Sequence, residues 1–351
     1  MKKIIASLRK LMINLIKRPI RVLYFRLFEA PRRYIVPPLC KSRRLRPKLI
    51  PHLKYVYAVC NGGLIQDEKG DHLCLLSDQT FTVKAGLRIP RSHLPSGWDP
   101  TLKSLILASY DQAWFLTDVK RMSLEVDGMP VSDSESIGDA RLFRFRDETS
   151  VYATGWSHNT SSWPLLGKIQ GSRLSLRRLR FEAPCPQKNW MPFSEGGKLF
   201  LEYSVSPHMI LECDPRTLAC HMVAETKHGR HRFPNLTIHG GAPAIHLSEK
   251  VFLGCANTQE HFWFQERYYG TVLYLFDATP PFATTHSTDL LRIGSNLERV
   301  RYICGMILSK DRSRITFSVG VNDWDNCIIT MSVQEILSLM QPIGSGRSAF
   351  D

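Results

Sequence analysis

This 351-residue chain is poor in several features, and each scarcity removes a class of answer. Its nine cysteines are an odd number and include no Cys-x-x-Cys pair, which argues against a disulfide framework and against a zinc finger. His228 and His231, in "KHGRHRF", have no third or fourth ligand nearby in sequence, so no metal is assigned. There is no phosphate-binding P-loop, no dinucleotide fingerprint and no Gly-x-Ser-x-Gly elbow, and no cofactor is expected. No apolar run near the N-terminus approaches the roughly 20 residues of a membrane-spanning helix. The longest there, Leu11 to Ile16, is broken by Asn14 and ends at Lys17 and Arg18 with no small-residue cleavage site after it, so a secretory signal is not expected. Carboxylates are nearly missing from residues 1–54, where Glu29 stands alone.

That last absence explains most of the formal net charge of +14. The remainder of the chain is close to balanced, so the basic signal belongs to an N-terminal arm. Within residues 1–35, Ile4, Ile5, Leu8, Leu11, Met12, Leu15 and Ile16 recur at helical spacing, with Lys and Arg between them. Pro19 ends or kinks that helix. Such a basic amphipathic helix is expected to contact an anionic membrane surface from the cytoplasmic side; docking on its own domain or on a partner is the alternative. No nucleic-acid-binding module accompanies the charge, so no nucleic-acid partner is expected. Residues 36–54 read as a linker. The cysteines read as small buried thiols in a reducing compartment.

From about residue 55 the pattern changes from helical to alternating. Five hairpin-like stretches recur at roughly 40–60 residues, at 102–119, 140–156, 197–218, 242–258 and 302–323. Their turns are expected at Asp214–Pro215, Ser248–Lys250 and Lys310–Ser313, among others. Only "SVQEILSLMQ" (332–341) reads as a helix in this region. The expected fold is all-β: a five-bladed β-propeller over 55–340, preceded by the N-terminal helix and followed by a tail at 341–351. A β-sandwich or barrel is the alternative.

Polar clusters sit on or beside these hairpins: Asp139 with Arg141, Lys188-Asn189-Trp190, His208, His239 with Gly240-Gly241, Asn257, and Asn322-Asp323. In a propeller, equivalent hairpin positions converge on the axis. "PCPQKNWMPF" (184–193) holds a cation, an amide and an indole between Pro186 and Pro192, which limit backbone freedom. Indole can cover the CH face of a sugar, Asn, Asp and Arg can bond its hydroxyls, and a lysine can hold a phosphate. Plainer roles stay open. Trp190 can be an inter-blade core residue, His208 can bond a backbone carbonyl, and Asp139 or Asp323 can serve a turn.

The stretches "GDARLF", "KNWMPF", "YSVSPHMI", "GGAPAI", "FLGCANT" and "SVGVNDWDN" occur in an order that resembles the propellers of glycoside hydrolase family 130, β-mannoside phosphorylases and hydrolases, and their mannosyltransferase relatives. The resemblance covers roughly residues 100–338. It implies that Asp139 is the proton donor to the glycosidic oxygen and that Arg141 holds substrate. It also implies a sugar pocket formed by Lys188, Asn189, Trp190, His208, His239, Gly240, Gly241, Asn257, Asn322 and Asp323, the last as a sugar-binding carboxylate. The chain departs from the family pattern in four places. Gly138 and Gln187 stand where glutamates are usual, His239 where an arginine is usual, and Asn257 where a histidine is common.

Inverting hydrolysis generally needs two carboxylates, one to protonate and one to activate water. One convincing acid suits a nucleophile that is already an anion or is a substrate hydroxyl. Glycosyl, in particular mannosyl, transfer or phosphorolysis is therefore expected over hydrolysis, and Asn257 in place of histidine weakens phosphorolysis. The alternative is a propeller without catalysis that binds glycan or scaffolds a membrane-associated polysaccharide assembly.

Overall fold

The computed structural model describes residues 41–44, 59–78, 81–84, 87–90, 105–131, 135–157, 162–181, 189–226, 236–261, 267–293, 300–321 and 325–343. The arm at 1–35, most of the linker and the end of the tail lie outside them. The strands in chain order are β1 Lys41–Arg44, β2 Val59–Gln66, β3 His72–Asp78, β4 Phe81–Lys84, β5 Leu87–Pro90, β6 Leu105–Tyr110, β7 Leu116–Arg121, β8 Ser123–Val126 and β9 Met129–Pro130. Then come β10 Glu135–Phe145, β11 Glu148–Ser157, β12 Ser162–Gln170, β13 Arg173–Arg178, β14 Met191–Glu195, β15 Lys198–Val205, β16 His208–Cys213 and β17 Cys220–Thr226. The chain continues through β18 Leu236–Gly240, β19 Ile245–Ser248, β20 Val251–His261, β21 Arg267–Asp277, β22 Thr284–Thr288, β23 Arg301–Leu308, β24 Arg314–Val321, β25 Asp325–Ser332, α1 Val333–Ser338 and β26 Met340–Pro342.

Hydrogen-bonded order groups these strands into five blades of a β-propeller: β2-β3-β6-β7, β10-β11-β12-β13, β14-β15-β16-β17, β18-β20-β21-β22 and β23-β24-β25. The small pair β8-β9 extends the second blade, and β26 extends the fourth. Lys41–Arg44, in the stretch expected to be linker, adds β1 to the outer edge of β25 and so ties the early chain to the last blade.

The hairpins of the sequence are present, but their phase differs from blade to blade. Residues 140–156 and 302–323 are the inner pairs β10-β11 and β23-β24. Residues 102–119 are instead the outer pair β6-β7, and 197–218 holds the middle pair β15-β16, which turns at Ser206-Pro207. Asp214–Pro215 turns one hairpin later, between β16 and β17. The helix α1 begins with a capping box, in which Ser332 and Glu335 satisfy each other's backbone N–H.

Alternating side chains of adjacent blades interlock. Between the third and fourth blades, Phe193 packs on Phe200, Phe252, Phe276 and Phe282 with ring centroids 5.0–5.5 Å apart. Beside this aromatic core lies a buried polar link. Glu202 Oε1 accepts from the Tyr274 hydroxyl at 2.8 Å and faces His208 Nε2 at 2.7 Å. His208 Nδ1 donates to the Phe282 carbonyl at 3.0 Å, because a carbonyl can only accept. Removing the carboxylate leaves the Tyr274 hydroxyl and His208 Nε2 without their buried partner. Glu202→Ala is expected to cost about 3–5 kcal/mol in urea unfolding. A loss under about 1 kcal/mol would show that the link is dispensable.

Cys74, Cys213, Cys220, Cys255, Cys304 and Cys327 form no disulfide, and all but Cys220 are buried. Burial pushes the Cys74 and Cys255 thiols up to about 12, so they stay protonated and behave as small apolar groups.

Candidate functional site

The five inner segments begin at one end of the axis. There, three blades in succession place an Asx residue in the left-handed backbone region: Asn61 (φ 56°), Asp139 (φ 49°) and Asn189 (φ 65°). Asn and Asp tolerate this region better than other side chains, and outliers of this kind cluster where a protein must aim a group. Two of the three sit in bulges. The β2-β3 register shifts between Cys60 and Gly63, and the β10-β11 register between Gly138 and Arg141. A bulge re-aims a side chain that the pleat would otherwise alternate away. Here it brings Asn61 Nδ2 to within 3.3 Å of Asp139 Oδ1, where it donates.

Arg141 crosses the axis beneath Asp139. Its Nε donates to the Gly241 carbonyl of the fourth blade at 2.6 Å and its Nη1 to the Ala140 carbonyl at 3.2 Å. The guanidinium carbon lies 5.7 Å from the ring centre of Tyr302 in the fifth blade, and the Tyr302 hydroxyl donates to the Gly240 carbonyl at 2.5 Å. Arg141 is thus a fully buried floor beneath the mouth. Burial opposes its charge, but Cys304, Tyr302, Asp139 and Tyr152 around it raise its pKa above the ordinary arginine value.

Among the described residues, buried polar atoms at this end without a hydrogen-bond partner include Asn61 Oδ1, Arg141 Nη2 and Asn189 Oδ1. They belong to three blades and comprise two acceptors and one donor. A buried polar group without a partner is costly, and such groups in a mouth match a ligand that both donates and accepts, as a hydroxyl does.

Asp139, Arg141, Asn189, Gly240 and Gly241 lie at this end. His239 is half-buried on β18, opposite Asn257 in register. Asn257 itself is enclosed: its Nδ2 donates to the Ile303 carbonyl and its Oδ1 accepts from the Ile303 N–H, each at 2.9 Å. It clamps the fourth blade to the fifth. Trp190 is 2% exposed, with its indole edge-to-face with Phe181 and Tyr203 at 5.8 and 5.3 Å. It occupies the inter-blade core instead of presenting a stacking wall to the mouth. His208 is the carbonyl-bonded core histidine already described. Lys188, Asn322 and Asp323 lie outside the described residues.

Sequence reasoning missed Asn61, Tyr302 and Tyr152, whose hydroxyl accepts from the Trp190 N–H at 3.2 Å. For Asn61 a signal was present, an Asn-Gly-Gly step opening an apolar strand. The Gly63 Cα faces Arg141 so closely that an added Cβ would lie 2.9 Å from the Arg141 Cα. Gly240 is tighter still. A Cβ there would lie 1.9 Å from the Asn189 carbonyl oxygen. Gly240→Ala is expected to cost about 2–3 kcal/mol by thermal unfolding, since backbone must move to admit it. An unchanged melting temperature would show that the third and fourth blades do not meet so closely here.

No family model matches the chain, and no curated protein sequence matches it. Among solved structures, the β-1,2-mannobiose phosphorylase of Listeria innocua in complex with β-1,2-mannobiose superposes with a TM-score of 0.56 at 16% identity, covering 81% of this chain and 92% of that chain. Others are a GDP-Man-dependent mannosyltransferase from Leishmania mexicana (TM-score 0.45, 9% identity, 83% of this chain, 89% of that chain) and a thermostable family-43 glycoside hydrolase (TM-score 0.48, 8% identity, 84% and 95%). The fold is therefore the five-bladed propeller that carbohydrate-active enzymes use. Among the described residues no helix is long and apolar enough to cross a membrane, and no group of His, Cys, Asp and Glu could hold a metal ion.

Proposed function

We propose that the mouth binds a glycoside and that the chain is a glycosyltransferase or glycoside phosphorylase in which Asp139 is the general acid/base. The observation that carries this reading is the set of polar atoms of Asn61, Arg141 and Asn189 that have no partner among the described residues, at the same end of the axis as the half-exposed Asp139 carboxyl. In this reading the Asp139 proton goes to the departing glycosidic oxygen as the bond to the anomeric carbon breaks. An acceptor hydroxyl or a phosphate oxygen forms the new bond and, in the case of the hydroxyl, gives up its proton. Arg141 Nη2 holds a sugar or phosphate oxygen, and Asn61 fixes the orientation of the Asp139 carboxyl. Lys188, Asn322 and Asp323 complete the pocket by resemblance to the family 130 motifs, and that resemblance makes a β-mannoside the first substrate to test.

The second reading, a propeller that binds glycan without turning it over, rests on the same mouth. Asp139 is the one carboxyl in the constellation described there, and Gly138 and Gln187 replace carboxylates usual in the family. A mass-spectrometric screen with mannose-1-phosphate, GDP-mannose and β-mannosides separates the two. The first reading predicts a new glycoside or sugar phosphate from at least one donor. Binding of a mannoside with turnover of none would shift the assignment to the second. For the arm at residues 1–35, the corresponding expectation is co-sedimentation with phosphatidylserine liposomes that is lost on deleting it. Equal partition of both forms would remove the membrane contact.

A further inference from the structure

The blades carry a second recess, at the end opposite the mouth, where the strand-connecting turns of the second and third blades meet. It encloses about 530 Å³. Its floor is apolar, formed by Phe143, Phe145, Leu166, Leu199 and Leu218. Its rim carries four exposed cations, Arg146, Lys168, Arg177 and Arg216. Lys168 is neutralised by Glu148. Among the described residues, none of the three arginines forms a close ion pair with a carboxylate, and Asp214 lies within coulombic reach of Arg216. Their other contacts orient them. Arg146 lies over the Phe145 ring at 5.0 Å and donates to the Gly197 carbonyl, and Arg177 donates to the Arg216 carbonyl at 3.4 Å. The nearby Asp214 is taken up by its own turn, accepting from the Arg216 N–H and the Thr217 hydroxyl at 2.8 Å each.

Arg177 belongs to "SRLSLRRLRF", which reads in sequence as a solvated outer strand. Its neighbours behave that way: Arg173 pairs with Glu125, and Arg178 pairs with Asp127 and Glu135. Arg177 differs, since it faces the recess and has no such partner.

We propose that this groove docks an acidic polypeptide segment, with an apolar side chain on the phenylalanine and leucine floor and flanking carboxylates on Arg146, Arg177 and Arg216. Charge complementarity selects the occupant. A lone inorganic anion would leave the floor uncovered, and a neutral glycan would leave three guanidiniums unmatched. Guanidinium forks pair with carboxylates in bidentate geometry, and the apolar floor adds the part that salt does not screen. The site is remote from the mouth and independent of what the mouth binds.

The test is fluorescence anisotropy on the full chain. The probe is a labelled peptide with two acidic residues on each side of a Leu-Phe pair. Two controls replace the acids by lysine and the Leu-Phe pair by Ser-Ser. The acidic Leu-Phe peptide should bind more tightly than either control. The double variant Arg177→Glu, Arg216→Glu should weaken it by about tenfold or more, since two exposed pairs are lost and reversed. Thermal unfolding reports whether that variant is folded, and Arg177→Gln with Arg216→Gln serves if it is not. Binding no tighter than that of the lysine control would overturn the proposal, as would an affinity unchanged in both double variants. So would equal binding of the Ser-Ser control together with displacement by a sulfated polysaccharide, which would mark a general polyanion patch.

Discussion

Asp139→Asn is expected to lower glycosyl turnover by about 10²–10⁴-fold while leaving sugar affinity within a few-fold. The substitution is informative because it is structurally quiet. Asp139 sits at φ 49°, where Asn is as well tolerated as Asp, so the bulge between Gly138 and Arg141 should persist. The amide still meets Asn61, whose Nδ2 can donate to the new carbonyl oxygen. In the proposed reaction, what disappears is the proton for the leaving oxygen, and with it the anion that takes a proton from the acceptor. Alanine would be a poorer choice, because it adds backbone strain to the loss of chemistry. Turnover within a few-fold of wild type would remove Asp139 from the reaction. Loss of sugar binding in parallel with turnover would instead make the carboxylate a binding group.

Arg141→Met separates a functional floor from a structural plug. Two effects oppose each other in stability. The Gly241 carbonyl loses its donor, at a cost of about 1–3 kcal/mol. Against that, a fully buried cation with no carboxylate in ion-pair contact among the described residues is replaced by an apolar chain of similar length, and such exchanges are often neutral or stabilising by about 1–4 kcal/mol. The terms nearly cancel, so the melting temperature should move little. Ligand affinity has no such compensation. One charge-assisted hydrogen bond from Nη2 is worth about 1.5–3 kcal/mol, so binding should weaken by roughly 10–150-fold. A variant that is severely destabilised yet binds sugar normally would mean that the arginine serves only to close the axis.

The propeller was legible because blades are built from local pairs: alternation, turn residues and a repeat near 50 residues are visible along the chain. The phase of each blade was not. "NGGLI" (61–65) is buried throughout, so it lacks the alternation that marks a half-exposed strand, and the first inner strand went unread. Asn61 was missed with it. The cross-axis path of Arg141 depends on ring closure, which places Gly241, a hundred residues away in sequence, against its guanidinium. Trp190 shows the opposite failure. A tryptophan beside an asparagine and a lysine reads locally as a sugar platform, yet Phe181 and Tyr203 close around it only in three dimensions. His208 takes the carbonyl-bonding role that the sequence left open, while its partner Glu202 has no distinctive setting in sequence.

A crystal structure with a bound β-mannoside is the most direct measurement. The sugar should lie at the Asn61–Asp139–Asn189 end of the axis, with the glycosidic oxygen near the Asp139 carboxyl, or joined to it through one sugar hydroxyl, and another oxygen about 3 Å from Arg141 Nη2. A sugar bound at the turn end of the blades, or on the rim beyond reach of Asp139, would contradict the assignment of this mouth.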